Sequence, residues 1–407
     1  MRSEFGRNFL TLISGTALAQ IIPFIVAPIL SRLYSPEDFG FYSFFISIVG
    51  IIAVLATLKY EVAIILPKNN KIAEQLIQTS LILCCIVSVF TMFLVILGYL
   101  FFNLNPIYFL LPFAVFLLSV ITVFDRYFNR IKSYDKMSYQ RIVKSGTESA
   151  YNLGGYFTIL KSFNLILGFV VGFFFSFFYI LISEYKIVKN ICLNISLRKF
   201  YWSLLKYRNF PKYTLPHTFL NTFSANIPIL LIPYFYDATA TGHFTFGLKY
   251  IQAPLALISA AIFNVMGQEF AENKENKIFI RLKFNAMLKK LALIALTILP
   301  LLFFAEPFFK FVFGDLWAEA GVYIQLLSIW ILISFIVSTF ANIPIIFNEQ
   351  RKALILEFIY SMAKILPFIV GAGVYNLAIK DVLIIYTILS SAVLIYGLHW
   401  YWGLLKK

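Results

Sequence analysis

Residues 136–160 read KMSYQRIVKSGTESAYNLGGYFTIL, and whether this stretch crosses a membrane decides the topology of the whole chain. It holds Arg141, Lys144, Glu148, Asn152 and several glycines, so a hydropathy window would miss it first. Around it, near-continuous apolar runs bounded by charges, Pro or Asn predict helices over 8–31, 39–58, 72–102, 106–124 and 163–187. A second set covers 214–236, 241–265, 285–304, 322–346, 353–377 and 381–403. With 136–160 included, the expectation is an all-α integral membrane protein of about twelve spans. Each span needs about 20 residues to cross about 30 Å of hydrocarbon, which leaves short loops and no large soluble domain.

The basic residues decide in favour of that count. With the N-terminus inside, the segments on the inner side hold 26 Lys and Arg and the outer loops hold 4, namely Arg32, Lys161, Lys310 and Lys380. The translocation machinery retains positive flanks, so both termini are expected in the cytoplasm. Removing span 136–160 would invert every later loop and destroy this segregation.

Composition agrees: 60% of residues are hydrophobic and 13% charged, against about 25% charged in soluble domains. The net charge of +15 sits in short loops between apolar spans, which suits the anionic cytoplasmic leaflet and not nucleic acid. The start carries Arg2 and Arg7, and its apolar run passes the length of a signal-peptide core without a cleavage site, so it reads as a retained helix. Cys84, Cys85 and Cys192 lack metal-ligand spacing, and His217, His243 and His399 are scattered. No phosphate-binding glycine loop, HExxH or nucleophile elbow is present. No metal, cofactor or catalytic set is therefore expected.

The longest loop is basic and aromatic, with Lys186, Lys189, Arg198, Lys199, Lys206, Arg208 and Lys212 beside Tyr201 and Trp202, and it separates six spans from six. The expected organisation is a bundle over 1–187, a surface linker over 188–213 and a bundle over 214–407. An internal repeat supports it. Ala19-Gln20-Ile21-Ile22-Pro23, before Pro28, echoes Ala225-Asn226-Ile227-Pro228, before Pro233, and Gly40-Phe41-Tyr42-Ser43-Phe44 echoes Gly242-His243-Phe244-Thr245-Phe246. Paired Pro-interrupted helices in corresponding positions of two halves point to a transport pathway.

Four bases remain at membrane depth: Arg141, Lys144, Lys249 and Lys364, joined by Glu148 and Glu357. A charge at mid-span costs about 2.5–3.5 kcal/mol on insertion scales, so such groups face protein or a water-filled cavity. At about 100° per residue, Arg141, Lys144 and Glu148 share one face of their helix, and Glu357 and Lys364 share a face of theirs. Lys249 has no acid three or four residues away and suits a bound anion. Arg32, at the outer end of the first span, is a candidate for gating or headgroup contact, and Glu148 and Glu357 are candidates for coupling or counter-charge.

One resemblance is specific. Thr11-Leu12-Ile13-Ser14-Gly15-Thr16-Ala17-Leu18-Ala19-Gln20, Pro28-Ile29-Leu30-Ser31-Arg32-Leu33-Tyr34-Ser35-Pro36-Glu37-Asp38-Phe39-Gly40, Lys59-Tyr60-Glu61 and Ile64-Ile65-Leu66-Pro67 resemble the Wzx-type O-antigen or polysaccharide repeat-unit flippases. These form part of the multidrug/oligosaccharidyl-lipid/polysaccharide (MOP) exporter superfamily. The resemblance implies two six-helix bundles in a V, alternating access, and a cargo of undecaprenyl-diphosphate-linked oligosaccharide turned across a bacterial inner membrane. It implies a polysaccharide polymerase and chain-length regulator as partners. Cationic side chains suit a diphosphate. A cation-coupled drug exporter of the same superfamily would favour acids, and a membrane polysaccharide polymerase would present a larger catalytic outer loop than 305–321.

Overall fold

The computed structural model describes residues 2–158, 163–193 and 196–406. Among them there is no strand. The chain runs α1 (Arg2–Leu33), α2 (Pro36–Ala56), α3 (Asn70–Phe102), α4 (Leu111–Ile131), α5 (Tyr134–Gly155), α6 (Asn164–Ser183), α7 (Tyr185–Leu193) and α8 (Leu197–Lys206). It continues through α9 (Leu215–Phe235), α10 (Ala238–Glu272), α11 (Lys277–Phe303), α12 (Ala305–Phe313), α13 (Ala318–Ser338), α14 (Ile343–Ile346), α15 (Gln350–Leu366) and α16 (Ile379–Leu404). Each of the twelve predicted spans coincides with a helix over most of its described residues, with 159–160 of the fifth lying outside them. Nine spans of the described residues are long and apolar enough to cross a membrane, and Ala17–Leu33 within α1 is a shorter apolar helix.

The other two spans, α5 and α9, owe their polarity to particular residues. In α9 these are His217, Asn221, Ser224 and Asn226. In α5 they are the charges and amides already named, and helix packing explains how the membrane accepts them. α5 lies against α1 and α6. On α6, Gly168, Gly172 and Ser176 form a stripe at four-residue intervals. A Cβ on Gly168 would collide with the Asn152 side chain, and one on Gly172 would lie 2.9 Å from the Lys144 carbonyl oxygen. Ser176 Oγ accepts from Gln140 Nε2 at 2.9 Å. Small residues let the backbones approach closely enough for the polar side chains of α5 to be enclosed by protein. The α1 side adds Gly15, seated against Ser138, and Tyr34, whose hydroxyl donates to the Asn152 carbonyl at 2.7 Å.

Two compact units result: residues 1–34 with 44–222, and residues 35–43 with 223–407. In the first, Lys59-Tyr60-Glu61 opens a buried 3-10 turn, Tyr60–Ile65, after the left-handed residues Leu58 (φ 47°) and Lys59 (φ 65°). Arg130 of α4 holds this turn by donating to the Ile64 carbonyl at 3.0 Å and to Asn70 Oδ1 at 3.0 Å. Tyr60 donates to the Leu204 carbonyl of α8 at 3.0 Å, and burial pushes its phenol pKa up.

In the second unit, Phe246 stacks on Trp317 at 3.8 Å, with Phe39, Phe309 and Phe313 around them. The segment 305–321, read as a loop, is largely helical: α12, then a 3-10 turn over Asp315–Trp317 that places Trp317 in this core. The two repeated Gly motifs meet here reciprocally. A Cβ on Gly40 would strike the Ala238 carbonyl, one on Gly242 would strike the Pro36 carbonyl, and the Ser43 and Thr245 hydroxyls hydrogen-bond at 2.7 Å.

Candidate functional site

The membrane-depth charges of the first unit are matched within it. Lys144 Nζ lies 2.5 Å from Glu148 Oε2 on the next turn of α5 and 4.9 Å from the Phe173 ring centroid of α6. Arg141 Nη2 lies 3.6 Å from Asp125 Oδ2 of α4. The apolar run of the fourth predicted span stops at Phe124, one residue short of Asp125. The helix continues to Ile131 and brings the carboxylate to face α5. Arg32 is exposed and donates to the Pro28 carbonyl at 2.6 Å, one turn back on α1. Lys161 and the side chains of Arg2, Arg7 and Cys192 lie outside the described residues.

The second unit has a different balance. Lys364, 7% exposed, sits in the last turn of α15. Its Nζ lies 4.1 Å from the Tyr360 ring centroid and 6.0 Å from that of Trp330, and the Trp330 indole donates to the Tyr360 hydroxyl at 2.8 Å. The ammonium also donates to the Ser224 carbonyl of α9 at 3.4 Å. That carbonyl would ordinarily accept from the N–H four residues on, but residue 228 is proline and has none. The Pro-containing motif of α9 thus creates an acceptor, and a lysine from another helix answers it. Glu357, two turns back on α15, is half-buried and near enough to act on the Lys364 charge.

Lys249 is placed otherwise. It lies on α10, exposed, with Nζ 5.7 Å from the Tyr250 ring centroid, while the neighbouring Phe246 and Tyr250 turn into the aromatic core. A charged side chain at membrane depth ordinarily faces a protein interior or a water-filled cavity.

The structure therefore groups Lys144 with Glu148, Arg141 with Asp125, and Lys364 with Tyr360, Trp330 and Ser224. The aromatic and carbonyl partners of Lys364 were not foreseen. The missing N–H at Pro228 was the one sequence signal for Ser224, and nothing in the sequence tied it to Lys364. The spacing Gly168-x-x-x-Gly172 in an apolar helix was a legible signal for the α5–α6 contact. Among the described residues no cluster of three or more metal-ligating side chains occurs.

Comparison with known proteins agrees with this architecture. A family model described as "Polysaccharide biosynthesis protein" matches residues 29–322. The teichuronic acid biosynthesis protein TuaB of Bacillus subtilis (strain 168) is 30% identical over 122 residues, which is 30% of this chain and 25% of TuaB, so the match spans only a quarter of that relative. An inward-facing multidrug resistance MATE family transporter of the MOP superfamily superposes with a TM-score of 0.73 at 15% identity, covering 97% of this chain and 99% of that one. The lipid II flippase MurJ, in an inward closed conformation, gives 0.70 at 14% identity, covering 96% and 87%. The fold is that of the MOP superfamily.

Proposed function

This chain belongs to the polysaccharide biosynthesis protein family, and we propose that it is a flippase, not an enzyme, that moves an undecaprenyl-diphosphate-linked oligosaccharide from the cytoplasmic to the periplasmic leaflet of a bacterial inner membrane. One observation carries the reading: at membrane depth in the second unit, Lys249 and Lys364 outnumber Glu357, and Lys249 is exposed. In the first unit each such base lies beside an acid. A surplus of cation at membrane depth suits an anionic cargo, and a diphosphate is the anion that lipid-linked sugars carry. Lysine meets phosphate as a compact point charge with three donors. A carrier of cationic drugs would favour the opposite surplus.

In this reading Lys249 contacts the diphosphate and Lys364 holds α9 to α15. Glu148 and Glu357 serve as counter-charges, and Arg32 acts at the outer end of α1. O-antigen and capsule repeat units are the cargo class.

The test is flipping of a fluorescent undecaprenyl-diphosphate oligosaccharide in proteoliposomes. Wild type should transport, and Lys249→Ala at matched folded protein should lose most of the activity while Lys249→Arg keeps a measurable part. An inactive wild type given its native sugar, or an unimpaired Lys249→Ala, would overturn the proposal.

A further inference from the structure

A cavity of about 280 Å³ opens in the first unit between the start of α3 and the linker helices. Its walls are Lys71, Glu74, Gln75 and Gln78, which share one face of α3, together with Asn190 and Ile191 of α7 and Lys199 of α8. Two hydrogen bonds fix the linker there: Gln78 Nε2 donates to the Ile191 carbonyl at 2.8 Å, and Asn190 Nδ2 donates to Glu74 Oε2 at 2.9 Å. The second bond matters most, because the single carboxylate of the cavity is engaged by an amide. Neither Lys71 nor Lys199 has an acid within ion-pair distance among the described residues. Two lysines on two different elements thus line one small space, with two glutamine side chains beside them.

We propose that this cavity is a phosphate-binding site whose occupant bridges Lys71 of α3 and Lys199 of α8 and so clamps the linker to the first unit. Two lysines against one glutamate leave one positive charge, which matches a phosphodiester of charge −1 such as a phosphoglycerol headgroup. The amides and Glu74 suit hydroxyls carried by the same group. The space is many times the roughly 10–15 Å³ that one water needs on the same measure, so a headgroup fits together with water. The neighbourhood favours a lipid source: on α8, Leu197, Tyr201 and Leu205 are exposed at four-residue intervals, flanked by Arg198, Lys206 and Arg208, the pattern of a helix lying at an interface. A free phosphate ester would satisfy the same contacts, so the experiment separates the two sources.

The full chain is reconstituted in nanodiscs of phosphatidylcholine alone or with phosphatidylglycerol, and the linker is probed by limited chymotrypsin cleavage at Tyr201 and Trp202. Phosphatidylglycerol should slow cleavage about tenfold in wild type, the lower end of what one charge-assisted hydrogen bond contributes. The effect should vanish in Lys71→Ala/Lys199→Ala and persist in Lys206→Ala/Arg208→Ala, which lies outside the cavity. Thermal unfolding in phosphatidylcholine checks that both variants are folded. Protection by phosphatidylglycerol alone assigns the site to lipid. Protection by glycerol 3-phosphate in phosphatidylcholine discs, lost in the same double variant, assigns it to a soluble ester. Absence of protection by either, or protection unchanged in Lys71→Ala/Lys199→Ala, overturns the proposal.

Discussion

Replacing Lys364 with methionine probes the contact between α15 and the proline-interrupted α9. Methionine keeps the unbranched stem and removes the ammonium. Two contributions disappear. A hydrogen bond from a charged donor is worth about 1.5–3 kcal/mol, and the 3.4 Å separation to the Ser224 carbonyl places this one at the low end. A desolvated cation over an aromatic ring contributes about 2 kcal/mol, and Tyr360 supplies that ring at 4.1 Å. Against them stands the desolvation of a charge 7% exposed, several kcal/mol per ion, which methionine does not incur. The single substitution should therefore be mild, within about 2 kcal/mol of wild type. A double-mutant cycle is sharper. Pro228→Ala gives residue 228 an N–H, so the Ser224 carbonyl gains its own intrahelical donor. In that background Lys364→Met should be less destabilising by about 1–2 kcal/mol, the coupling expected when two groups serve one acceptor. The assay is reversible denaturant unfolding of the full chain in detergent micelles for all four proteins. Free energies that add to within about 0.5 kcal/mol would refute the reasoning.

Three further outcomes follow from the packing. Gly172→Ala forces a Cβ to within 2.9 Å of the α5 backbone and should lower stability by about 1–3 kcal/mol, read by thermal unfolding; Gly154→Ala, whose Cβ would meet nothing within 4 Å, is the control. Arg141→Ala leaves Asp125, whose Oδ1 already lacks a hydrogen-bond partner, without its guanidinium, and should cost about 3 kcal/mol. Adding Asp125→Ala should recover most of that loss in the same unfolding assay. Gly40→Ala and Gly242→Ala meet equivalent carbonyls and should destabilise by similar amounts, and a large difference between them would refute the reciprocity.

The helix pattern was legible because lipid imposes length and apolarity on most spans, and the segregation of loop lysines argued for keeping a span as polar as α5. The repeat was legible through Pro23, Pro28, Pro228 and Pro233, whose backbone consequences do not depend on context. The partners of the charged residues were not. Helical periodicity reports which residues share a face but not which neighbour that face meets. The pairing of Lys144 with Glu148 was therefore readable along one helix, whereas that of Arg141 with Asp125, or of Lys364 with Tyr360 and Ser224, depended on packing between helices. Asp125 was also hidden by hydropathy, since the apolar run ends one residue before it while the helix continues.

The reciprocal seating of Gly40 and Gly242 bears on how far the two repeats can change independently. Each glycine meets the carbonyl that opens the other's helix, and the hydroxyls of Ser43 and Thr245 meet between them. Such a contact is self-complementary, as in a dimer of identical subunits around a two-fold axis. The two repeats are therefore constrained jointly at these positions, because a side chain added in either is tested against the backbone of the other. A fragment of residues 223–407 expressed alone would lack the stretch 35–43 that completes its unit, so separating the halves at the linker would leave one of them unfinished.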